Sequence, residues 1–257
     1  MTAHEKWIAL QTIATREILR FTRIWVQTIL PPVITTALYF IIFGNLIGPR
    51  IGEMEGFGYM EFIIPGLIMM AVITNSYSNV VSSFYGSKFQ RHIEEMLISP
   101  VPNYIILIGF LTGGVARGLM VGIAVTSVSL LFNPLNIHSL PVMLSMIILT
   151  AVLFSLAGLI NGVYANSFDD ISIIPTFVLT PLTYLGGVFY SINMLPDIWQ
   201  SASLVNPILY MVNAFRYGFL GISDISLVVS YGISIGFIVV LYVFSLYLLR
   251  KGQGIRT

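Results

Sequence analysis

An ATP-hydrolysing P-loop puts a lysine directly before a serine or threonine. An ammonium, a hydroxyl and backbone N–H groups then meet phosphate and magnesium together. Here Lys6 precedes Trp7, Lys88 precedes Phe89 and Lys251 precedes Gly252, so that chemistry has no parts. The histidines His4, His92 and His138 fall outside the long apolar stretches, which leaves a buried Ser–His pair or a histidine metal site unsupplied. Asp169 and Asp170 share one short loop and cannot face each other across a membrane. Zero cysteines remove thiol nucleophiles, thiolate metal sites and disulfides. The chain reads as one with no catalytic, cofactor or metal residues of its own.

The polar residues that remain are suited to passage and docking. Asn75, Ser78, Asn79 and Ser82 recur at i, i+3, i+4, i+7 within TNSYSNVVSS (74–83), which places them on one helical face. Polar groups are costly against lipid, so that face looks into protein or water. It lines a route, or it is an interhelical hydrogen-bond seam. The segment YGSKFQRHIEEMLISPVPN (85–103) is the densest polar stretch. Its core, Ser87 to Leu97, predicts a short helix stopped by Pro100 and Pro102. It mixes Lys88, Arg91, Glu94 and Glu95 with Phe89, Ile93, Met96 and Leu97, which suits apolar anchors inside a charged rim, or equally an ordinary solvated loop. Gly114, Gly118 and Gly122 form a small-residue stripe that permits close helix packing, with a dimer seam as one place for it. Arg117 beside the stripe is expected to snorkel to the inner interface.

The elements that must position these residues are set by where charge is missing. Of 257 residues only 9 % are charged and 56 % are hydrophobic, with a net charge of +1. Soluble domains average roughly a quarter charged residues, so a soluble enzyme, a disordered chain and a basic nucleic-acid binder are excluded. The chain is an all-α integral membrane protein. Charge-free runs cover 24–49, 62–87, 96–116, 118–168, 171–196, 198–215 and 225–249. A bilayer of ~30 Å needs about 20 apolar residues at 1.5 Å each. Six spans are predicted near 24–47, 62–84, 106–132, 142–165, 171–190 and 226–249, with the longest run divided by the turn NPLNIHSLP (133–141). Pro175, Pro181, Gly186 and Gly187 predict a kinked or broken fifth span. The run 198–215 is short, carries Asn206, Pro207 and Asn213, and reads as re-entrant or interfacial.

With both termini cytoplasmic, nine basic residues lie inside (Lys6, Arg16, Arg20, Arg23, Lys88, Arg91, Arg250, Lys251, Arg256), against Arg50 and Arg216 outside. The positive-inside rule is obeyed. Residues 4–23 predict an amphipathic interfacial helix, with Trp7, Leu10, Ala14, Ile18 and Phe21 on one side; a plain extension of the first span is the simpler reading. The two halves show no internal repeat, so one six-span bundle suits half of a dimer better than an inverted-repeat transporter.

RHIEEMLISPV (91–101), PLTYLGGVFYSINMLP (181–196) and NPILYMVNAFRYG (206–218) resemble, in order and spacing, the permease subunits of type-2 ABC exporters. The resemblance runs through nearly the whole chain. It implies a single transmembrane domain over 1–257, with 4–23 as a connecting helix. It implies that 87–98 (Lys88, Phe89, Arg91, His92, Ile93, Glu94, Glu95) couples to a separate ATP-binding subunit, and that 188–212 is an outer re-entrant region. Asn75, Asn79, Pro181 and Tyr184 would face the central route of a dimer. ATP and magnesium would bind the partner, present in two copies beside two permease subunits in the bacterial inner membrane. A secondary transporter or channel, and a membrane anchor for an ATPase, are the competing classes.

Overall fold

The computed structural model describes residues 1–134, 137–252 and 254. Leu135 and Asn136 of the predicted turn, and Arg256 of the basic tail, lie outside the described residues.

The order begins with α1 (Ala3–Thr22) and α2 (Trp25–Tyr39), which continues through a π-helical segment Phe40–Ile47 into α3 (Gly48–Ile51). A hairpin of β1 (Glu53–Met54) and β2 (Phe57–Gly58) leads to α4 (Tyr59–Phe89), α5 (His92–Ile98), α6 (Asn103–Ser129) and α7 (Leu140–Tyr164). Next come α8 (Asp170–Ile174), a π-helical turn Pro175–Leu179, α9 (Thr180–Tyr184), α10 (Asp197–Leu204), α11 (Pro207–Leu220) and α12 (Leu227–Lys251).

Local chemistry sets the ends. Thr2 and Glu5 form a capping box at the start of α1. Asn206 caps α11 ahead of Pro207, and Gly221 closes it in the left-handed conformation at φ 75°. The hairpin turns on Glu55 and Gly56, both at positive φ, as a two-residue turn requires. A break at Arg23–Ile24, where Ile24 leaves helical geometry, makes α1 a helix separate from α2 and not its extension. Trp7, Ile8, Ile18 and Leu19 face outward, while Glu17 and Phe21 turn toward the protein.

Among the described residues, five helices are long and apolar enough to cross a bilayer: α2 with its continuation to Ile51, α4, α6, α7 and α12. They match the predicted spans one, two, three, four and six to within a few residues at most ends. The predicted fifth span is not among them. Its helical part, Asp170–Tyr184, stays helical through the π-helical turn Pro175–Leu179 and reaches only about 22 Å at the α-helical rise. The predicted re-entrant stretch 188–212 holds a loop, α10 and the start of α11. The buried part runs on to Phe219, past the predicted boundary.

α4 is the axis of the molecule. It packs most extensively on α7 and α6, and its apolar side supplies much of the main core with Phe62, Ile63, Leu67, Ile68, Val72 and Ile73. A second core below it joins Phe84, Ile106, Phe110, Leu159 and Leu248. α2 and α12 leave most of their apolar surface exposed, as helices facing hydrocarbon would.

Candidate functional site

Four side chains on α4, each four residues after the last, meet charged residues of α1 and α6. The Arg117 guanidinium (Nη2) donates to Asn75 Oδ1 at 3.0 Å. Arg20 Nη2 donates to Asn79 Oδ1 at 2.7 Å and to the Asn79 carbonyl at 2.8 Å. Ser83 donates to the fully buried Glu17 carboxylate, and Arg16 donates to Ser87 Oγ at 3.1 Å. Four residues are 6 Å of helix, so this ladder climbs about 18 Å along α4. Glu17 also pairs with Arg16 at 3.1 Å and with Arg20 at 3.6 Å. These are the only ion pairs among the described residues. The ladder has one acid and three guanidiniums, so it is net positive.

Two open spaces adjoin it. A cavity of about 320 Å³ lies between α2 and α4, with Asn75, Ser78, Thr74 and Arg117 on one wall and Thr28, Thr36 and Tyr39 on the other. A cleft of about 610 Å³ beside α1 and the end of α4 is lined by Arg16, Arg20, Arg23, Ser82, Ser87 and His92. The predicted polar face therefore divides. Asn75 and Ser78 reach the cavity, Ser82 reaches the cleft, and Asn79 is wholly buried under Arg20 between them. Pro181 is exposed on α9. Tyr184 does not line the cavity, but its hydroxyl lies 3.1 Å from that of Tyr39 at the cavity's edge, and its ring stacks on Phe189 at 5.7 Å.

The expectation that Arg117 snorkels to an interface is corrected. It is the fifteenth of 27 residues in α6 and is held at mid-helix by Asn75, beyond reach of either end. A cation at that depth costs roughly 2.5–3.5 kcal/mol on insertion scales unless protein or water receives it. Arg216 is corrected too. It is not an outer-loop cation but the largest fully buried side chain, lying 3.9 Å over the Phe62 ring and donating to the Gly187 carbonyl at 2.5 Å. The Gly114, Gly118 and Gly122 stripe packs within this chain. A Cβ at Gly118 would strike Ser76, one at Gly114 would strike Val80 and Ser155, and one at Gly122 would stand 2.9 Å from Val72 Cγ2. A dimer seam is thus not where the stripe lies.

At the other end of α4, the predicted helix from Ser87 to Leu97 is two helices. α4 runs through Lys88 and Phe89, and α5 begins at His92 after Arg91 takes the left-handed conformation at φ 63°. Ile93 is buried with Phe84, Ile106 and Phe110, which seats α5 on the second core. Phe89, Arg91, His92, Glu95 and Ile98 face outward, and Glu94 is half-buried. Lys88 donates to the Val163 and Ala165 carbonyls at 2.8 and 2.7 Å, closing the C-terminal end of α7. The roles of Glu17, Arg20 and Lys88 went unread in the sequence. Arg16 and Arg20 do stand one turn apart, as do Ser83 and Ser87, and that shared spacing was the available signal.

A family model described as ABC-2 type transporter matches residues 8–220. The chain belongs to this family. It is 61 % identical over 254 residues to the Inner membrane transport permease YadH of Escherichia coli (strain K12), covering 99 % of each chain. It is 25 % identical over 250 residues to Nodulation protein J of Rhizobium meliloti (strain 1021), covering 95 % of this chain and 93 % of that one. To Nodulation protein J of Rhizobium leguminosarum bv. viciae it is 23 % identical over 246 residues, covering 95 % and 94 %. An ABC-2 permease is a transporter subunit that normally carries no catalysis and pairs with an ABC ATP-binding subunit. The likeness to an inner-membrane permease, together with five apolar helices, supports a bacterial inner-membrane protein.

Proposed function

We propose that the chain is the membrane subunit of an ATP-driven exporter, working as a homodimer with two copies of a separate ATP-binding subunit. The observation that carries this reading is α5. It is a short helix that exposes His92, Glu95 and Ile98 beside Phe89 at the end of α4, is clamped to the core by Ile93 and is joined to α4 through left-handed Arg91. A subunit gripping Phe89, His92 and Glu95 from the cytoplasm would move α4 and α6 together. The Asn75–Ser78 wall rides on α4, so closure of the motor around ATP would change access to the cavity. ATP and magnesium belong to the partner in this reading.

The same reading makes α1 the connecting helix at the inner interface, with both termini cytoplasmic. Asp170–Tyr184 is then the inner part of a broken fifth span, completed by the chain through Gly186 and Gly187, and α10–α11 form the outer re-entrant region. Tyr184 and Pro181 would face the second permease subunit across the route.

Reconstitution with the candidate ATPase tests it. ATP turnover should rise when the permease is present, and Phe89→Ala with Glu95→Ala should abolish the rise while the chain still folds. Transport by the chain alone, driven by an ion gradient, would instead favour a secondary transporter. ATPase binding without any substrate movement would favour an anchor.

A further inference from the structure

We infer that the cavity between α2 and α4 receives an anionic head group, a phosphate or carboxylate oxyanion, and that Arg117 reads its charge. The inference rests on the transport reading above and names the substrate class of that route.

The argument begins with the missing counter-ion. Arg117 stands at mid-helix, and its one hydrogen bond is to the neutral side-chain oxygen of Asn75. Its Nε is buried and donates to nothing. Both ion pairs among the described residues belong to Glu17, which serves Arg16 and Arg20. Arg117 thus carries its charge without an acid partner, where low dielectric strengthens any attraction. A guanidinium offers a planar fork of donors that fits phosphate and carboxylate oxygens. The surrounding wall has the mixed character such a ligand needs. Ser78, Thr74 and Tyr39 present hydroxyls, while Leu67, Met70 and Pro31 present apolar surface. At about 320 Å³ the space is at the low end for ligand pockets, which suits a head group whose remainder lies outside it. A purely structural brace between α6 and α4 would need only the single bond to Asn75 and would not hold a phosphate that shields the cavity wall.

The absence of cysteine permits a direct test. A single thiol is placed by Thr74→Cys on the exposed part of the cavity wall, and a reference thiol by Ile98→Cys on α5. The full chain, in phosphatidylcholine nanodiscs, is reacted with two methanethiosulfonates of similar size, one an anionic sulfonate and one a cationic trimethylammonium. The anionic reagent should be favoured at position 74 by roughly tenfold relative to its ratio at position 98. Arg117→Lys should keep the preference and Arg117→Gln should remove it. Nanodiscs doped with phosphatidic acid should protect the Thr74→Cys thiol, and pure phosphatidylcholine should not. Added inorganic phosphate separates the sources: protection by both means the oxyanion alone is read, and protection by the lipid only means it is read on an amphiphile. No charge preference, or no protection by either phosphate source, overturns the inference. The protection arm needs no Arg117 variant, so misfolding of Arg117→Gln does not rescue the idea. Binding of the ATPase is measured on the same Thr74→Cys preparation. Failure there overturns the transport reading, whereas unselective labelling with the ATPase bound overturns only the anion site.

Discussion

Lys88 illustrates how a residue can be identified by position and misread by partner. In the sequence it belongs to a charged, exposed segment, but its ammonium closes two carbonyls at the end of α7, about 75 residues away. Hydrogen bonds to a charged group contribute more than neutral ones, so Lys88→Met should lower stability by about 1–3 kcal/mol. A melting temperature unchanged in detergent would refute that role. Near the hairpin, Ser191 donates to Glu55 at 2.5 Å and to Asp224 at 3.0 Å, and one hydroxyl proton cannot satisfy both at once. Burial and the Glu55 charge push the Asp224 carboxyl above its ordinary 3.8. Burial would raise Glu55 as well, but hydrogen bonds from Ser191 and Asn193 hold it below 4.5. The signs oppose. Protonated Asp224 is stabilising, a contribution complete below about 3.8 and lost as pH rises through its folded value. Ionised Glu55 stabilises above 4.5, and that is lost as pH falls through its folded value. Acidification that protonates Asp224 while Glu55 stays ionised therefore firms this junction through Asp224. Asp224→Asn should remove the gain in melting temperature that appears as pH falls through the folded Asp224 value, and an equal gain in the variant would rule the account out.

At the scale of elements, helix periodicity was readable wherever apolar residues ran unbroken. The predicted limits of spans two, four and six lie within five residues of α4, α7 and α12 at every end. Pro175, Pro181, Gly186 and Gly187 marked the fifth span as irregular, but spacing could not show the form this takes, a helix from Asp170 to Tyr184 with a π-helical turn at Pro175–Leu179. The break before α5 had no sequence signal either. Arg91 is left-handed without being glycine, a conformation that costs roughly 1–2 kcal/mol and persists only because the packing of Ile93 demands it. This yields a paired prediction. Arg91→Gly relieves the strain and should leave the ATPase coupled if geometry is what matters. Arg91→Ile cannot adopt that backbone comfortably and should lower stability by about 1–2 kcal/mol and uncouple turnover. If both variants uncouple equally, the Arg91 charge and not the turn does the work.

The whole molecule is a bundle wound around α4. The proposed topology has a simple consequence. A thiol introduced by Met194→Cys, in the loop before α10, should react with an impermeant reagent from outside the cell. One introduced by Ile98→Cys should react only after the membrane is opened. Both positions are well exposed, at 64 % and 83 %. Labelling of position 194 only from the cytoplasm would remove the sixth crossing. It would also invalidate the inside and outside assignments.

Composition and charge spacing by themselves determined the solvent and the five apolar spans found among the described residues, because a bilayer penalises each unpaired charge wherever the chain puts it. The density of polar groups in 85–103 also singled out the segment that the proposed function gives to the partner. Which polar groups meet was decided only by the tertiary structure. Asn79 with Arg20, Ser83 with Glu17 and Asn75 with Arg117 join residues 42 to 66 apart in the chain. Those pairings depend on the rotation of α1 and α6 against α4, which is set by packing at Gly113, Gly114 and Gly118. Periodicity assigns each residue to a face of its own helix. It carries no information on which neighbouring helix that face will meet, and here that choice separates a brace from an anion site.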